Sequence, residues 1–187
     1  MVQMIKTKRL RVGVLPLART TFDVPFAKKT CKEAWEVMEK ISVNWVGSDE
    51  LLFDEKSVES KILEFKKEKL DLLLILQMTF TDASMTVTLA ESFDIPLLFW
   101  SFPEKRTGGR LRLNSLCGVN LAAHALGKSG IQCDYINLKP NDPNLSDELF
   151  GWMRVYQTRK NLNNTNLAVI GDHPDGFHTC SFDNNKL

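Results

Sequence analysis

The chain has 187 residues, of which 43% are hydrophobic and 25% charged, and its formal net charge is +1. That length suffices for one ordinary α/β domain with a substantial core, but not for two. A charge so close to neutral gives no reason to expect nucleic acid or an anionic membrane as a partner. The longest apolar run, residues 70–78, contains Asp71 and Gln77 and is far shorter than the roughly 20 residues of a membrane span.

The cysteines indicate the compartment. They are scattered without CxxC spacing, which favours reduced thiols over a disulfide framework. The chain does not open with the basic, apolar and small-residue pattern of a secretion signal. The sequence therefore predicts a soluble cytoplasmic protein. The four cysteines are Cys31, Cys117, Cys133 and Cys180.

Strand-like and helix-like segments alternate along the chain. Helices are predicted where apolar residues recur every three or four positions, and strands where short apolar runs are rich in β-forming residues. The segment 70–76, LDLLLIL, has almost no polar alternation and is typical of a central parallel strand buried on both faces. Five βα units in this order predict a doubly wound parallel sheet of the flavodoxin or Rossmann-like type, with helices on both faces. The predicted elements, in chain order, are strand 11–17, helix 24–41, strand 42–48, helix 54–69, strand 70–76, helix 83–93, strand 95–102, helix 115–130, strand 132–138 and helix 144–161.

The end of the chain does not fit a sixth complete unit. An asparagine-rich stretch at 161–166 is typical of a linker. Residues 166–187 then predict a strand, a turn between two glycines and the first turn of a helix that has no packing partner. The strand could extend the first sheet, but we favour the alternative that it opens a second domain. The predicted organisation is a domain at 1–161, followed at 162–187 by a linker and the first βα unit of an otherwise missing domain.

Polar residues collect after the fourth predicted strand, and α/β folds bind ligands where their strands end. Residues 106–126 read RTGGRLRLNSLCGVNLAAHAL. Within them Arg110, Arg112 and Asn114 offer donors suited to hydroxyl or phosphate oxygens. A solvated turn over residues 106–112 is the alternative interpretation.

His124 follows this loop, within a mostly apolar helical segment. A lone helical histidine is more often a buried, hydrogen-bonded imidazole than a ligand-binding group. The donor-rich loop that precedes it shifts the balance towards a role in binding. Both interpretations remain open at this point.

The third strand ends in Gln77 and Thr79, an amide and a hydroxyl that suit polyol recognition. We expect both side chains to face the crevice at the end of the sheet. Asp82, a little further along, is expected to cap the next helix instead.

The first strand is followed by Arg19, Thr20 and Thr21, which could hydrogen-bond a ligand from the end of that strand. An equally good alternative makes one of the threonines, or Asp23, the cap of a helix that has Pro25 in its first turn. Arg19 is retained as a candidate ligand contact.

Several catalytic patterns are absent from the sequence. The turn after the first strand has no GxGxxG and no P-loop lysine, so cofactor binding has no support. No GxSxG elbow surrounds Ser115 or Cys117. A group near the end of the chain looks like a metal site, but its proline and glycine favour a turn. That group is Asp172, His173, Asp175 and His178. Neither a catalytic centre nor a metal site is therefore predicted in this chain.

Four stretches resemble the N-terminal part of the L-fucose and L-arabinose isomerases, which are metal-dependent aldose–ketose isomerases. The stretches are RVGVLPLARTTFDVPFA, LQMTFTDAS, PLLFWSFPEKRTGGRLRLNSLCGVNLAAHAL and LAVIGDHPDGFHTCSFD. The resemblance covers nearly the whole chain, but only the first of the family's domains and the opening βα unit of the second. It implies a Rossmann-like first domain that closes over the active site of a neighbouring subunit in a trimer or hexamer.

The resemblance also implies particular residues. In the arabinose isomerases an N-x-x-A-H pattern supplies a histidine to the neighbouring site; Asn120 and His124 match it, with Leu121 where a glutamine is usual. Gln77 and Thr79 stand where that family has an aromatic residue and a histidine.

The family's catalytic carboxylates and metal-binding histidine lie in later domains, so the resemblance places Mn²⁺ or a similar ion in the complete enzyme and not in this chain. We therefore expect the substrate-recognition and oligomerisation part of a truncated sugar isomerase, inactive alone. Its expected partners are a small-molecule sugar and further copies of the chain. The alternative is a stand-alone sugar- or metabolite-binding regulatory module.

Overall fold

The computed structural model describes residues 9–166, 168, 170, 171, 174–181 and 183. Strands and helices alternate along this part of the chain, and a short 3₁₀ turn follows them. The elements are β1 (Arg11–Leu17), α1 (Val24–Met38), β2 (Asn44–Gly47), α2 (Glu55–Phe65), β3 (Leu72–Gln77), α3 (Ser84–Ser92), β4 (Leu97–Ser101), α4 (Ser115–Lys128), β5 (Asp134–Asn137), α5 (Leu145–Asn163) and the 3₁₀ turn His178–Cys180.

The strands form one parallel sheet in the order β2-β1-β3-β4-β5. Helices α1 and α5 pack on one face of the sheet, and α2, α3 and α4 pack on the other. The predicted doubly wound parallel fold with helices on both faces is confirmed. The chain turns to opposite sides after β1 and after β3, which makes the gap between their carboxyl ends the topological switch point where such folds bind ligands.

Strand β3 shows why this sequence forms a two-sided core. Its six residues are all fully buried, because both of its faces are covered by helices. Leu72, Leu74 and Leu76 pack with α1 and α5, whereas Leu73 and Ile75 pack with the helices of the opposite face. The uninterrupted apolar run thus supplies both halves of the core.

Local signals fix the beginnings of the helices better than their ends. The Asp23 carboxylate accepts a hydrogen bond from the Phe26 N–H at 3.0 Å and Pro25 lies in the first turn, so the capping alternative for Asp23 is confirmed. The predicted break in the asparagine-rich stretch 161–166 is confirmed, because α5 ends within it. Helix α5 continues to Asn163, and an amide hydrogen bond of 2.9 Å from Gln157 to Asn161 supports its last turn.

The predicted βα unit at 166–187 lies partly outside the described residues, which omit Leu167, Val169, Asp172 and His173. Asp175 and Gly176 lie in a turn, as expected. Among the residues described after α5, none pairs with the sheet, so the alternative that this segment extends the sheet finds no support there. No helix of the described chain combines the length and the apolarity needed to cross a bilayer.

Candidate functional site

Three loops meet at the carboxyl edge of the sheet, across the switch point. They follow β1 (residues 18–23), β3 (residues 78–83) and β4 (residues 102–114, called the β4–α4 loop below). The Asp23 N–H donates to the Arg112 carbonyl at 3.1 Å, and the Phe80 N–H donates to the Leu113 carbonyl at 2.7 Å. The β4–α4 loop is therefore fastened to the ends of both strands that flank the switch point.

Glu104 anchors the β4–α4 loop from within. Its carboxylate accepts the backbone N–H groups of Arg112, Leu113 and Asn114 at 2.7, 3.0 and 2.7 Å. Asn114 has φ of 52° and ψ of 35°, the left-handed region that asparagine tolerates better than most residues. Consecutive N–H groups in such a bend form an anion-binding concavity. Here the anion is a side chain of the loop itself.

The two predicted arginines of this loop contact the β1–α1 segment. The Arg112 Nε donates to the Asp23 carboxylate at 2.8 Å, and its guanidinium lies 3.9 Å from the centre of the Phe26 ring. The Arg110 guanidinium lies 4.7 Å from the centre of the Phe22 ring. Residues 106–110 are exposed, yet both guanidinium groups are held in place against aromatic rings. The loop is thus exposed to solvent over residues 106–110, while Arg110 and Arg112 also contact the β1–α1 segment.

Gln77 and Thr79 do not face the crevice, because both side chains are fully buried. The Gln77 amide donates to the Thr79 carbonyl at 2.7 Å and to the Thr81 hydroxyl at 3.0 Å. The Thr79 hydroxyl accepts the Arg19 N–H at 2.7 Å. The expectation of open crevice positions is therefore wrong. A residue at a strand end turns inward when the next loop folds back over it.

Helix α4 closes over Gln77. The buried Ser115 hydroxyl donates to the Gln77 carbonyl and accepts the Phe102 N–H at 3.0 Å, which joins the ends of β3 and β4. An added Cβ at Gly118 would lie 2.8 Å from the Gln77 Nε2, so a larger residue there would force the Gln77 side chain to shift. The Gln77 Oε1 is buried without a hydrogen-bond partner among the described residues. Ser115 is thus occupied in a structural network and not in a nucleophilic pair.

Replacing Gly118 with alanine is expected to lower the free energy of unfolding by about 1 kcal/mol. The overpacking against Gln77 costs roughly 1–3 kcal/mol, and the helix propensity of alanine returns up to about 1 kcal/mol. In a Gln77→Ala background the same replacement should raise the free energy of unfolding, because the obstructing side chain is gone. Urea denaturation of the four proteins measures this. Gly127→Ala is the matched control, since nothing lies within 4 Å of that position; equal effects at both glycines would contradict the account.

His124 and Asn120 lie one helical turn apart on the exposed side of α4. The alternative of a buried, satisfied imidazole is therefore wrong. Leu116 and Leu121 lie on the same side and remain 38% and 39% exposed. This side of α4 combines an amide and an imidazole with apolar surface that the described chain leaves uncovered.

Each of the five described helices begins at the carboxyl edge of the sheet, where α/β folds commonly bind phosphate or other anions. Asp23 and Asp54 cap α1 and α2, and each accepts a first-turn N–H, at 3.0 and 2.8 Å. Asp82 accepts the N–H of Ser84, the first residue of α3, at 3.2 Å. Glu104 and Asp142 accept N–H groups that precede α4 and α5, and neither of those helices has a side-chain cap.

The caps change the acidity of the carboxyl groups. The Phe26 N–H, followed by the Arg112 side chain, lowers the pKa of Asp23. Hydrogen bonds from the backbone and the hydroxyl of Ser57 lower the pKa of Asp54. The Ser84 hydroxyl is the largest cause of the lowered pKa of Asp82. The predicted capping role of Asp82 is not confirmed, because the N-cap of α3 is Ala83 and that helix has no side-chain cap. These three carboxylates stay charged at neutral pH.

Two open clefts at the carboxyl edge are lined by predicted site residues. One, of about 490 Å³, is lined by the loops after β1, β2 and β3, and there the Arg19 guanidinium is 3.7 Å from the Asp82 carboxylate. The other, of about 410 Å³, lies between α1, the β4–α4 loop and the loop after β5, and Arg112 lines it.

The predicted site residues therefore do not share one pocket. They are distributed as follows: Arg19 and Arg112 line different clefts, Arg110 and Asn114 lie on the β4–α4 loop, Asn120 and His124 lie on α4, and Gln77 and Thr79 are buried.

The described residues contain no group of three or more histidine, cysteine, aspartate or glutamate side chains that could hold a metal ion. Asp175 and His178 are exposed, and the other two members of the suspected metal group lie outside the described residues. The side chains on the described part of the chain therefore do not fit a divalent metal site.

Comparison with known families decides the relationship. The model described as fucose/sulfoquinovose isomerase, N-terminal domain, matches residues 13–163, from within β1 to the last residue of α5. The chain belongs to this family. The resemblance to the N-terminal region of the L-fucose isomerases, predicted from the loop motifs, is confirmed.

Four sulfoquinovose isomerases are among the curated relatives of this isomerase-family domain. That of Alkalicoccus urumqiensis is 29% identical over 178 residues, which cover 95% of this chain and 40% of the relative. That of Priestia aryabhattai is 27% identical over 173 residues, which cover 92% and 39%. The chain therefore spans about two fifths of the length of these relatives. Among solved structures, a Lac repressor dimer bound to operator is similar at 12% identity and a TM-score of 0.39 over 85% of this chain and 62% of that one, which is too distant to support an argument.

Sequence reasoning missed the residues that hold the site together. Glu104 lies ten residues before Asn114, whose N–H it accepts, whereas the recognisable capping box spans only three. Asp23 was considered only as a cap, although it also binds Arg112 across 89 positions of sequence. Neither contact leaves a local signal.

Proposed function

We propose that this chain is the substrate-recognition and oligomerisation part of a metal-dependent aldose–ketose isomerase. The observation that carries the proposal is the family match over residues 13–163, which includes every loop at the carboxyl edge and all of α4. The chain spans only about two fifths of its curated relatives, so the remaining parts of an isomerase lie outside it.

The proposed substrate is an aldose of the kind for which this isomerase family is named, fucose or sulfoquinovose. Both are sugars that lack a hydroxyl at C6, and both present several hydroxyl oxygens to a binding protein. Arginine and asparagine donors suit such oxygens. Arg19, Arg110, Arg112 and Asn114 lie along the carboxyl edge, where a ligand of this fold is expected.

The exposed side of α4 is the proposed contact with a neighbouring copy of the chain. His124 and Asn120 would reach a sugar bound at that neighbour, and Leu116 and Leu121 would be covered by the contact. An imidazole beside partly exposed leucines suits a subunit boundary better than open solvent. This accounts for a matching N-x-x-A-H pattern on an exposed helix surface.

A cytoplasmic location fits the thiols. All four cysteines are free in the structure. Burial raises the pKa of the Cys31 thiol to about 12, so this cysteine is an unreactive core residue. Reduced, unpaired cysteines are the ordinary state in a reducing compartment.

The metal and the proton-transferring carboxylate are proposed to come from outside this chain. When bound, a divalent ion would supply the coordination of two substrate oxygens that aldose–ketose isomerisation requires. The described residues offer no metal cluster, and no general acid–base pair is among the contacts at the carboxyl edge.

The chain alone is therefore expected to show no isomerase turnover. An assay with Mn²⁺ and sulfoquinovose, L-fucose or L-arabinose tests this, with the intact sulfoquinovose isomerase of Alkalicoccus urumqiensis as a positive control for its own substrate. Robust metal-dependent turnover by the chain would contradict the proposal.

A second candidate is a stand-alone sugar- or metabolite-binding module. It is favoured by one observation: the carboxyl-edge loops are held by contacts within the chain, above all those of Glu104 and Asp23. Isothermal titration calorimetry against aldoses and polyols separates the candidates. Micromolar affinity of the isolated chain would support the module, whereas the isomerase proposal expects only weak binding without the neighbouring parts.

A further inference from the structure

Helix α5 is apolar on two opposite sides. Its inner side packs against the sheet through its buried residues, as in other surface helices. The outer side of such a helix is ordinarily polar, yet Val155 and Leu162 lie there and remain 55% and 67% exposed. A shallow groove of about 530 Å³ runs along this side and is lined by residues of α5 alone. We call this side the outer face of α5 and define it by Asp147, Glu148, Gly151, Arg154, Val155, Thr158, Arg159 and Leu162.

Gly151 lies near the middle of the outer face. A Cβ added at this position would meet open space, and the backbone there does not have the positive φ that requires glycine. Glycine in an exposed helix interior lowers stability relative to alanine, so the fold of the described chain gives no reason for it. A second helix lying across the outer face would reach the α5 backbone at Gly151. The position therefore suits close approach of another helix.

The charges of the outer face are separated along the helix. Asp147 lies in the first turn of α5, and Arg159 lies about one turn before its end at Asn163. Within the described part of the chain, neither side chain forms a hydrogen bond or an ion pair. One interpretation is that they complement the dipole of α5, which favours acidic residues at the N-terminus and basic residues at the C-terminus. The other is that an antiparallel second helix brings each of them next to an opposite charge.

Two copies of α5 satisfy these charges in a single antiparallel register. When a two-fold axis passes level with position 153, Asp147 of each copy lies opposite Arg159 of the partner subunit. In the same register Gly151 lies opposite Val155 of the partner subunit, so a position without a side chain faces a branched apolar one. The surface is therefore complementary to itself, and each contact forms twice, as a two-fold dimer requires.

We propose that the outer face of α5 binds a second copy of this chain, with the two helices antiparallel across that axis. The exposed apolar surface supplies the area to be covered, and the charges fix the register. This goes beyond the proposed function, which places a subunit contact on α4. Helices α4 and α5 pack on opposite faces of the sheet, so one copy can use both surfaces at once.

Exchange of the two charges tests the pairing. Sedimentation velocity of the full chain is expected to show a monomer–dimer equilibrium. Asp147→Arg and Arg159→Asp each replace two attractive contacts with two repulsive ones, so each should raise the dimer Kd about tenfold. The double variant exchanges the charges and should return the Kd to within about threefold of its original value. Glu36→Arg, at an exposed position of α1, is the control and should leave the Kd unchanged.

Three results would overturn the pairing. The first is a chain that stays monomeric up to about 1 mM, which would leave the outer face to another occupant, such as the parts of an isomerase outside this chain. The second is a dimer whose Kd neither single exchange changes. The third is a double variant that dimerises no better than the single variants, which is expected if both charges serve only the dipole of α5.

Leu121→Asp separates this pairing from the proposed function, because it disturbs the proposed contact on α4 and leaves α5 intact. We expect this variant to keep the dimer Kd of the original chain. Association that is lost in Leu121→Asp but insensitive to the charge exchanges would place the contact on α4, which rejects the α5 pairing and supports the proposed function. A dimer that responds to the charge exchanges alone supports the α5 pairing and gives the α4 contact no support.

Discussion

Replacing Glu104 with alanine is expected to lower the free energy of unfolding by about 2–4 kcal/mol and to release the β4–α4 loop. The carboxylate accepts three backbone N–H groups, and a hydrogen bond to a charged group contributes roughly 1.5–3 kcal/mol net. The total is smaller here because the bond from Arg112 is exposed and the other two are only partly buried. Leu113 and Asn114 lie in partly buried backbone, where an unsatisfied N–H is costly. Urea denaturation measures the stability, and amide hydrogen exchange at residues 112–114 measures the release.

Glu104→Gln sharpens the test. The amide oxygen of glutamine can still accept the N–H groups of Leu113 and Asn114, which both point at Oε1, but an NH₂ group would face the Arg112 N–H. Its effect should be intermediate between wild type and Glu104→Ala. Glu59→Ala, at an exposed position of α2, is the matched control and should change stability by less than about 0.5 kcal/mol. Unchanged exchange at residues 112–114 in Glu104→Ala would refute the anchoring role.

The fold was predictable because its strongest signals are local. The run LDLLLIL has apolar side chains on both faces of the strand, so both faces must be covered by other elements. This implies a parallel sheet between two layers of helices. The exact strand ends could not be predicted, because they depend on which groups the terminal backbone N–H groups bind, and the sequence does not indicate those partners. Strand β3 begins at Leu72, since the Asp71 carboxylate before it already accepts the Arg11 N–H at 2.8 Å and the Lys160 ammonium at 2.7 Å.

The site was predictable only in part, for a related reason. Residue types and strand ends located the carboxyl edge, and they identified Arg110 and Arg112 on the loop that crosses the switch point. The orientation of Gln77 and Thr79 could not be predicted, because it depends on α4 approaching closely at Gly118. The anchoring by Glu104 could not be predicted either, since a carboxylate ten residues away carries no recognisable spacing.

The central claim is that α4 presents His124 to a sugar in an assembled isomerase. In a chimera, residues 13–163 of this chain replace the corresponding region of the Alkalicoccus urumqiensis sulfoquinovose isomerase. We expect His124→Ala to lower the kcat/KM of the chimera for sulfoquinovose by about 10- to 100-fold. A loss of this size is typical when a hydrogen bond to a charged or neutral imidazole is removed. Because His124 is exposed, thermal stability should change little.

The kcat/KM comparison between the chimera, its His124→Ala variant and a Lys128→Ala control is therefore the most direct measurement. Lys128 is exposed one turn further along the same helix, so its replacement changes the surface of α4 without removing the imidazole. The account predicts an active chimera, a large loss for His124→Ala and no loss for Lys128→Ala. Equal activity of all three proteins would contradict it.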